Sequence, residues 1–318
     1  MIGAVIRFAV AQRPLVMLLV GVMVAAGAYS LTHLPIDAVP DVTNVQVQIL
    51  TSAPSLAAVE VERQITFPVE VAMSGLPGIT EIRSLSRFGL SAVTVVFTDA
   101  TDIYAARQLI LERLSRAREE IPPSIGSPEM GPISTGLGEI YQYEVRAAPG
   151  SGLDLAALRT IQDWSVRRQL LTVPGIVEVN SFGGIERQYQ VRINPARLQA
   201  YKLGLRDVVE AVTRNNANVG GGYIEHGSEQ YVVRGVGLAG SPEDLGRIVL
   251  KTGTGGVPVY VSDVGEVVVG GALRQGAVTA RGTGEVVAGI AIMLIGENSR
   301  AVVQTVRGRI ESIKATLG

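Results

Sequence analysis

The first pattern along the chain is an apolar run from Pro14 to Leu34, with no Asp, Glu, Lys or Arg between Arg13 and Asp37. At 1.5 Å of rise per residue, about 20 such residues cross the roughly 30 Å hydrocarbon core of a bilayer, so the pattern predicts a transmembrane helix. Pro14 falls in the first turn, where a helix tolerates proline. Gly21 and Ala25, one turn apart, offer a face for close packing against another membrane helix. Arg7 and Arg13 precede the run and Asp37 and Asp41 follow it, which leaves the N-terminus cytoplasmic and the bulk of the chain outside. A signal peptide cleaved near Ala26-Gly27-Ala28 is the alternative. It exports the same residues, but the run exceeds the roughly 7 to 15 residues of a signal core.

Beyond the run, Asn44 to Ser52 alternates as a strand with one buried face. Val59, Val61, Ile65, Val69 and Met73 then recur at roughly helical spacing, with Ser55 as the expected N-cap and Gly75 and Pro77-Gly78 as the stop. Two strands, Ile79 to Ser86 and Leu90 to Phe97, flank a turn at Phe88-Gly89, and an amphipathic helix follows over Asp102 to Glu120. The order is β-α-β-β-α.

After the Pro- and Gly-rich passage from Ile121 to Gly138 the grammar restarts, with a strand at Ile140 to Ala147 and a helix over Asp154 to Leu171, capped by Asp154. Val173-Pro-Gly-Ile-Val-Glu-Val179 repeats Leu76-Pro-Gly-Ile-Thr-Glu-Ile82 at an offset of 97 residues, and Phe182-Gly183 echoes Phe88-Gly89. The second copy is interrupted after Gly183. Its missing strand and helix match Glu285 to Leu294 and Asn298 to Leu317, so an insertion splits the repeat. Inside the insertion, Gln188 to Ile193, Tyr231 to Val236 and Val257 to Val261 read as strands, and Pro195 to Leu203 and Leu205 to Arg214 as helices. The polar, glycine-rich stretch Asn215 to Gln230 reads as an extended loop or hairpin arm, either solvent-exposed or reaching a neighbouring subunit.

Composition narrows the chemistry. Charges nearly balance, 28 Lys and Arg against 29 Asp and Glu, without the basic bias that nucleic-acid binding requires. Cysteine is absent, which excludes a thiolate nucleophile or thiolate metal site. The two histidines, His33 and His226, stand in no ligand spacing, and neither glycine run has a nucleotide-loop context. No cofactor and no enzymatic site are expected. The six methionines form no thioether cluster, which leaves carboxylates as the candidate cation ligands. Among them Glu139 stands out, at the junction of the repeats behind Gly136-Leu-Gly138; a surface residue at a strand start is the plainer reading.

Four segments resemble the heavy-metal efflux branch of the resistance-nodulation-division (RND) pumps, the Czc type: Pro35 to Ile49, Ser84 to Leu90 with Val93 to Phe97, Met130 to Ile140, and Gly289 to Arg300. The resemblance implies an α+β fold: one transmembrane helix (1–34), a first ferredoxin-like porter subdomain (35–137), and a second (138–184 and 270–318) split by an inserted docking subdomain (185–269). It implies that Asn218, Gly220, Gly221, Gly222 and Tyr223 belong to an arm by which protomers of a homotrimer grip one another. The implied partners are a periplasmic adaptor, an outer-membrane channel and membrane lipid, with no nucleic acid. Copper and silver exporters of the branch tend to carry an aromatic residue where this chain has Glu139, whereas a Glu resembles the exporters of Zn, Co, Cd or Ni, in which porter carboxylates contact the ion. Whole pumps of the branch are several times longer, with twelve membrane helices and a proton-relay carboxylate set not found here. A single-span periplasmic adaptor and an exporter of amphiphiles remain the alternatives.

Overall fold

The computed structural model describes residues 3, 10–33, 43–227, 229–253, 255–274, 276–282 and 284–317. Leu34 to Val42, which carries most of the Pro35 to Ile49 signature, lies outside them. The chain divides into two compact units, one of Met1–Tyr143, Ser165–Ser181 and Gly289–Gly318, the other of Glu144–Trp164 and Phe182–Ala288.

Helix α1, Arg13–His33, contains the apolar run as far as His33. Strand β1 (Gln46–Ser52) then leads to helix α2, which runs over Ala58–Val61, widens into a π turn at Glu62–Thr66 and resumes over Phe67–Met73. Strands β2 (Ile79–Arg87) and β3 (Leu90–Phe97), helix α3 (Ile103–Glu120) and the two-residue strand β4 (Glu129–Met130) complete a β-α-β-β-α-β series. The four strands form one antiparallel sheet in the order β2-β3-β1-β4. One face carries Val47, Ile49, Val93, Val95 and Phe97, which pack with Ile65, Ile110 and Leu114 into a single core.

The expected N-cap at Ser55 is not used: α2 starts at Ala58, and Ala57 caps it without a side-chain bond. Residues 53–56 are committed elsewhere. Ala53 N–H donates to Gly89 O (2.8 Å) and Gly89 N–H to Leu56 O (3.0 Å), a clasp on the β2–β3 turn that delays the helix.

The π turn follows from the spacing of the buried positions. Val61, Ile65, Val69 and Met73 are each 0% exposed, in strict steps of four. In a regular α-helix each such step overshoots a full turn by about 40°, and three steps would carry the series out of the core. The i→i−5 bond from Phe67 N–H to Glu62 O takes up the excess. It also eases the entry of Pro68, which has no N–H to donate and whose ring crowds the carbonyl four residues earlier.

The second series begins with β5 (Glu139–Val145) and helix α4, which has the same construction: Leu155–Ile161, a π turn at Gln162–Val166, then Arg167–Leu170. Its buried positions Leu158, Gln162, Val166 and Leu170 again step by four, 97 residues after those of α2. The expected helix over Asp154 to Leu171 is present, with the π turn inside it, and Asp154 caps it, accepting from Ala157 N–H at 2.7 Å. Strand β6 (Ile176–Gly183) follows α4, and the series ends far downstream in β13 (Val287–Met293) and helix α9 (Ser299–Leu317). The three strands form a sheet in the order β5-β13-β6.

Between β6 and β13 the chain forms β7 (Arg187–Ile193), α5 (Pro195–Ala200), α6 (Leu205–Asn215), β8 (Val219–His226), β9 (Glu229–Gly235), α7 (Pro242–Gly246), β10 (Val249–Thr252), β11 (Pro258–Tyr260), α8 (Val261–Val264) and β12 (Gly265–Gly271). Val261, expected to end a strand, instead starts α8, where it is fully buried against Ala211, Leu245 and Ile248. Helix α5 stops earlier than expected, in a Schellman turn: Lys202 N–H donates to Gln199 O (3.1 Å) and Leu203 N–H to Leu198 O (3.0 Å). Lys202 holds the left-handed position of that turn (φ 54°), where glycine is usual.

Candidate functional site

Glu139 is the first residue of β5, and its position is set by the glycine before it. A Cβ on Gly138 would lie 3.2 Å from Ile292 Cγ2 and from Thr135 O and 3.3 Å from Met293 O, a tight fit that glycine relieves where the chain runs close to β13. Met293 N–H donates to Gly138 O at 2.7 Å and fixes the register. Glu139 is exposed and makes no side-chain hydrogen bond or ion pair among the described residues. No group of three or more His, Cys, Asp or Glu side chains able to hold a metal occurs among those residues. A cation at Glu139 therefore needs further ligands from elsewhere.

The glycine-rich stretch forms an antiparallel hairpin of β8 and β9, paired from Val219↔Gly235 to His226↔Glu229 with a register shift between Gly220 and Tyr223. The shift needs glycine: Gly222 sits at φ 84°, and a Cβ on Gly221 would lie 2.8 Å from Val233 Cγ1. Every residue of both strands is exposed, including Tyr223 (60%), Ile224 (59%) and Val232 (81%). Asn218 sits at the base, where its Oδ1 accepts from Gly237 N–H (3.1 Å) and Leu238 N–H (3.2 Å) and ties the two ends of the arm together. Tyr231 donates its hydroxyl to Glu229 Oε2 at 2.7 Å, and that bond raises its pKa above the ordinary tyrosine value. An isolated two-stranded hairpin is marginal in water, so an arm with this much exposed apolar surface calls for a cover.

Gly21 and Ala25 lie one turn apart on α1 and both are exposed, with nothing within 4 Å of the position a Cβ on Gly21 would take. The segment Arg13–Leu31 has mean hydropathy 2.0, and by length and composition it is one helix able to cross a membrane.

Sequence reasoning passed over three clefts in the second unit. One of about 340 Å³ is lined by Trp164, Tyr189 and the Arg159–Asp163 ion pair (2.7 Å). Another, of about 640 Å³, lies under Leu153 and Leu155. The third, of about 580 Å³, lies between α6 and β10. None is lined by Glu139.

Comparison with known proteins gives a family to this assembly of elements. The chain is 50% identical over 323 residues to a protein named cation efflux system protein CzcA from Alcaligenes sp. (strain CT14), covering all of this chain and 30% of that protein. It is 50% identical to the cobalt-zinc-cadmium resistance protein CzcA of Cupriavidus metallidurans and 40% identical to the cation efflux system protein CusA of Escherichia coli K12, again with all of this chain and 30% of each relative covered. A crystal structure of a heavy metal efflux pump superposes with a TM-score of 0.86 at 34% identity, over 99% of this chain and 31% of that one. The chain thus spans about 30% of the length of these curated relatives. The model of the AcrB/AcrD/AcrF family matches residues 5–318, and the chain belongs to that family.

Proposed function

We propose that this chain is the N-terminal portion of a proton-driven, trimeric pump that exports divalent heavy-metal cations of the Zn, Co, Cd or Ni class. The observation that carries the reading is 50% identity along the whole chain to a protein named for cobalt, zinc and cadmium resistance. In this reading α1 anchors the chain in the inner membrane and the remainder is periplasmic. Residues 35–137 form one ferredoxin-like porter subdomain, and residues 138–184 with 270–318 form a second. Residues 185–269 form a docking subdomain between its halves, toward an adaptor and an outer-membrane channel. The β-α-β-β-α-β series and the β2-β3-β1-β4 order support the first of these assignments.

Gly21 and Ala25 then face other membrane helices of the pump. The β8–β9 arm, with Gly220 to Tyr223 at its shift and Asn218 at its base, grips the neighbouring protomer, which supplies its missing cover. Glu139 contributes one hard oxygen ligand on the ion's path, completed by groups outside this chain.

The test uses everted membrane vesicles containing the full-length pump. An imposed proton gradient drives zinc or cobalt uptake, a protonophore abolishes it, and Glu139→Ala reduces it while the pump remains trimeric and folded. Uptake that ignores the protonophore rules out proton coupling, and unchanged uptake by Glu139→Ala removes that residue from the ion path.

A further inference from the structure

The residues inserted between β6 and β13 leave the second series through two glycines. Gly183 and Gly184 both lie in the left-handed region, at φ 70° and 69°. Neither position has room for a side chain: a Cβ on Gly183 would lie 2.5 Å from Val286 O, and one on Gly184 would lie 2.7 Å from Val287 Cγ2 and 3.0 Å from Arg159 Cβ. Two glycines in succession fix no direction of their own, because each reaches both signs of φ at little cost. The direction in which β7 departs is therefore held from outside the backbone.

Arg159, on α4, holds it. Its Nε donates to Asp163 Oδ2 and its Nη1 to Gly183 O, both at 2.7 Å. The two side chains are 21% and 23% exposed, so the contact is sheltered as well as charge-assisted. Beside it Ile185 N–H donates to Leu155 O (3.4 Å), and Ala272 N–H, where the insertion returns, donates to Glu186 O (2.8 Å). The first series has neither insertion nor clamp. At the positions 97 residues earlier stand Glu62, Thr66 and Ser86 in place of Arg159, Asp163 and Gly183, and a hydroxyl contact of 2.7 Å between Thr66 and Ser86 joins helix to strand. The compact unit that contains the insertion also takes α4 as far as Trp164, inside the π turn Gln162–Val166.

We propose that Arg159 is the positioning residue that locks the insertion to the first half of α4, so that residues 186–272 and the helix up to its π turn move as one piece. Only a guanidinium offers two separate donors in a fixed fork, one for the helix carboxylate and one for the strand carbonyl. That a displacement of the insertion is delivered to α4 in a working pump rests on the transport reading; the lock itself does not.

The test uses the purified full chain in detergent and needs no transport. Residue-resolved amide exchange should quicken about tenfold at Ile185 and Ala272 in Arg159→Ala, and should stay unchanged at Asn194, whose N–H donates to Val264 O (2.9 Å) at the far end of the β7–β12 ladder. Arg159→Lys should restore only part of the protection. The chain has no cysteine and one tryptophan, so Trp164 and a dansyl group on Gln199→Cys form a single donor–acceptor pair between α4 and the insertion. Their distance distribution, from donor lifetimes referenced to the unlabelled variant, should broaden about twofold in Arg159→Ala. Unchanged exchange at Ile185 and Ala272, or an unchanged distribution, overturns the proposal. Equal quickening at Asn194 reveals general destabilisation and overturns it, and full rescue by Arg159→Lys overturns the two-point lock.

Discussion

The hydroxyl of Thr66 joins helix α2 to the β2–β3 hairpin, and removing it isolates one buried interaction whose worth follows from the structure. Thr66 Oγ1 lies 2.7 Å from Ser86 Oγ and 2.8 Å from Ser91 Oγ, and Ser86 and Ser91 are cross-strand partners. Thr66 and Ser91 are each 1% exposed, whereas Ser86 is only partly buried. Thr66→Val keeps the shape and deletes the donor and acceptor. Beside a long contact to Val61 O (3.4 Å), two hydrogen bonds at about 1 kcal/mol each are lost, and Ser91 is left buried without this partner at about 1–2 kcal/mol, while the new methyl group returns roughly 1 kcal/mol. The net cost is about 2 kcal/mol. Thr66→Val/Ser91→Ala removes the stranded hydroxyl and should recover about 1 kcal/mol, a positive coupling in the double-mutant cycle. Trp164 lies in the other unit, so its fluorescence is the wrong probe. Amide hydrogen exchange across β2 and β3 reads the effect, with protection falling by roughly a factor of 30 in the single variant and recovering roughly fivefold in the double. Unchanged protection in Thr66→Val, or a double variant no better than the single, would refute the assignment of this cluster as a buried, coupled unit.

Three further outcomes follow from the same geometry. Gly289→Ala should destabilise the β5-β13-β6 sheet by about 1–3 kcal/mol, read as a lower unfolding midpoint, because a Cβ there would collide with the Tyr143 ring. Lys202→Gly should stabilise the second unit by about 1 kcal/mol by relieving the left-handed lysine, an increase read by urea denaturation. Tyr231 should ionise above the ordinary tyrosine range because the Glu229 carboxylate disfavours the phenolate. Phenolate absorbance should therefore show Glu229→Gln titrating at lower pH, and since the raised pKa belongs to the folded arm, the bond's contribution is present below the normal tyrosine pKa and lost as pH rises through the raised one.

The sequence made the elements of each repeat readable because their buried faces are local: Val93, Val95 and Phe97 alternate, and Ala106, Ile110 and Leu114 keep helical spacing. The π turns were equally visible as strict four-residue steps in Val61 to Met73 and Leu158 to Leu170, but a search for the 3.6 period absorbs that excess as noise. Strand β12 was missed because glycines bracket it and its pairing partner β7 is distant in sequence, so nothing within its own seven residues announces the ladder. Strand β10 is only four residues long and half of a two-stranded pair, too short for alternation to register. The candidate site was legible only in part. Glu139 and the arm could be located from glycine punctuation, yet no group of three or more candidate metal-ligating side chains occurs among the described residues, so no local pattern marks Glu139 beyond its position.

The central claim, metal-cation export, is tested most directly by expressing the complete gene in a metal-sensitive host lacking its own efflux systems and measuring growth across zinc, cobalt, cadmium and nickel concentrations. The account predicts a raised tolerance to at least one of these cations, lost with the protonmotive force and diminished in Glu139→Ala. Protection against dyes or detergents with none against any divalent cation would contradict it.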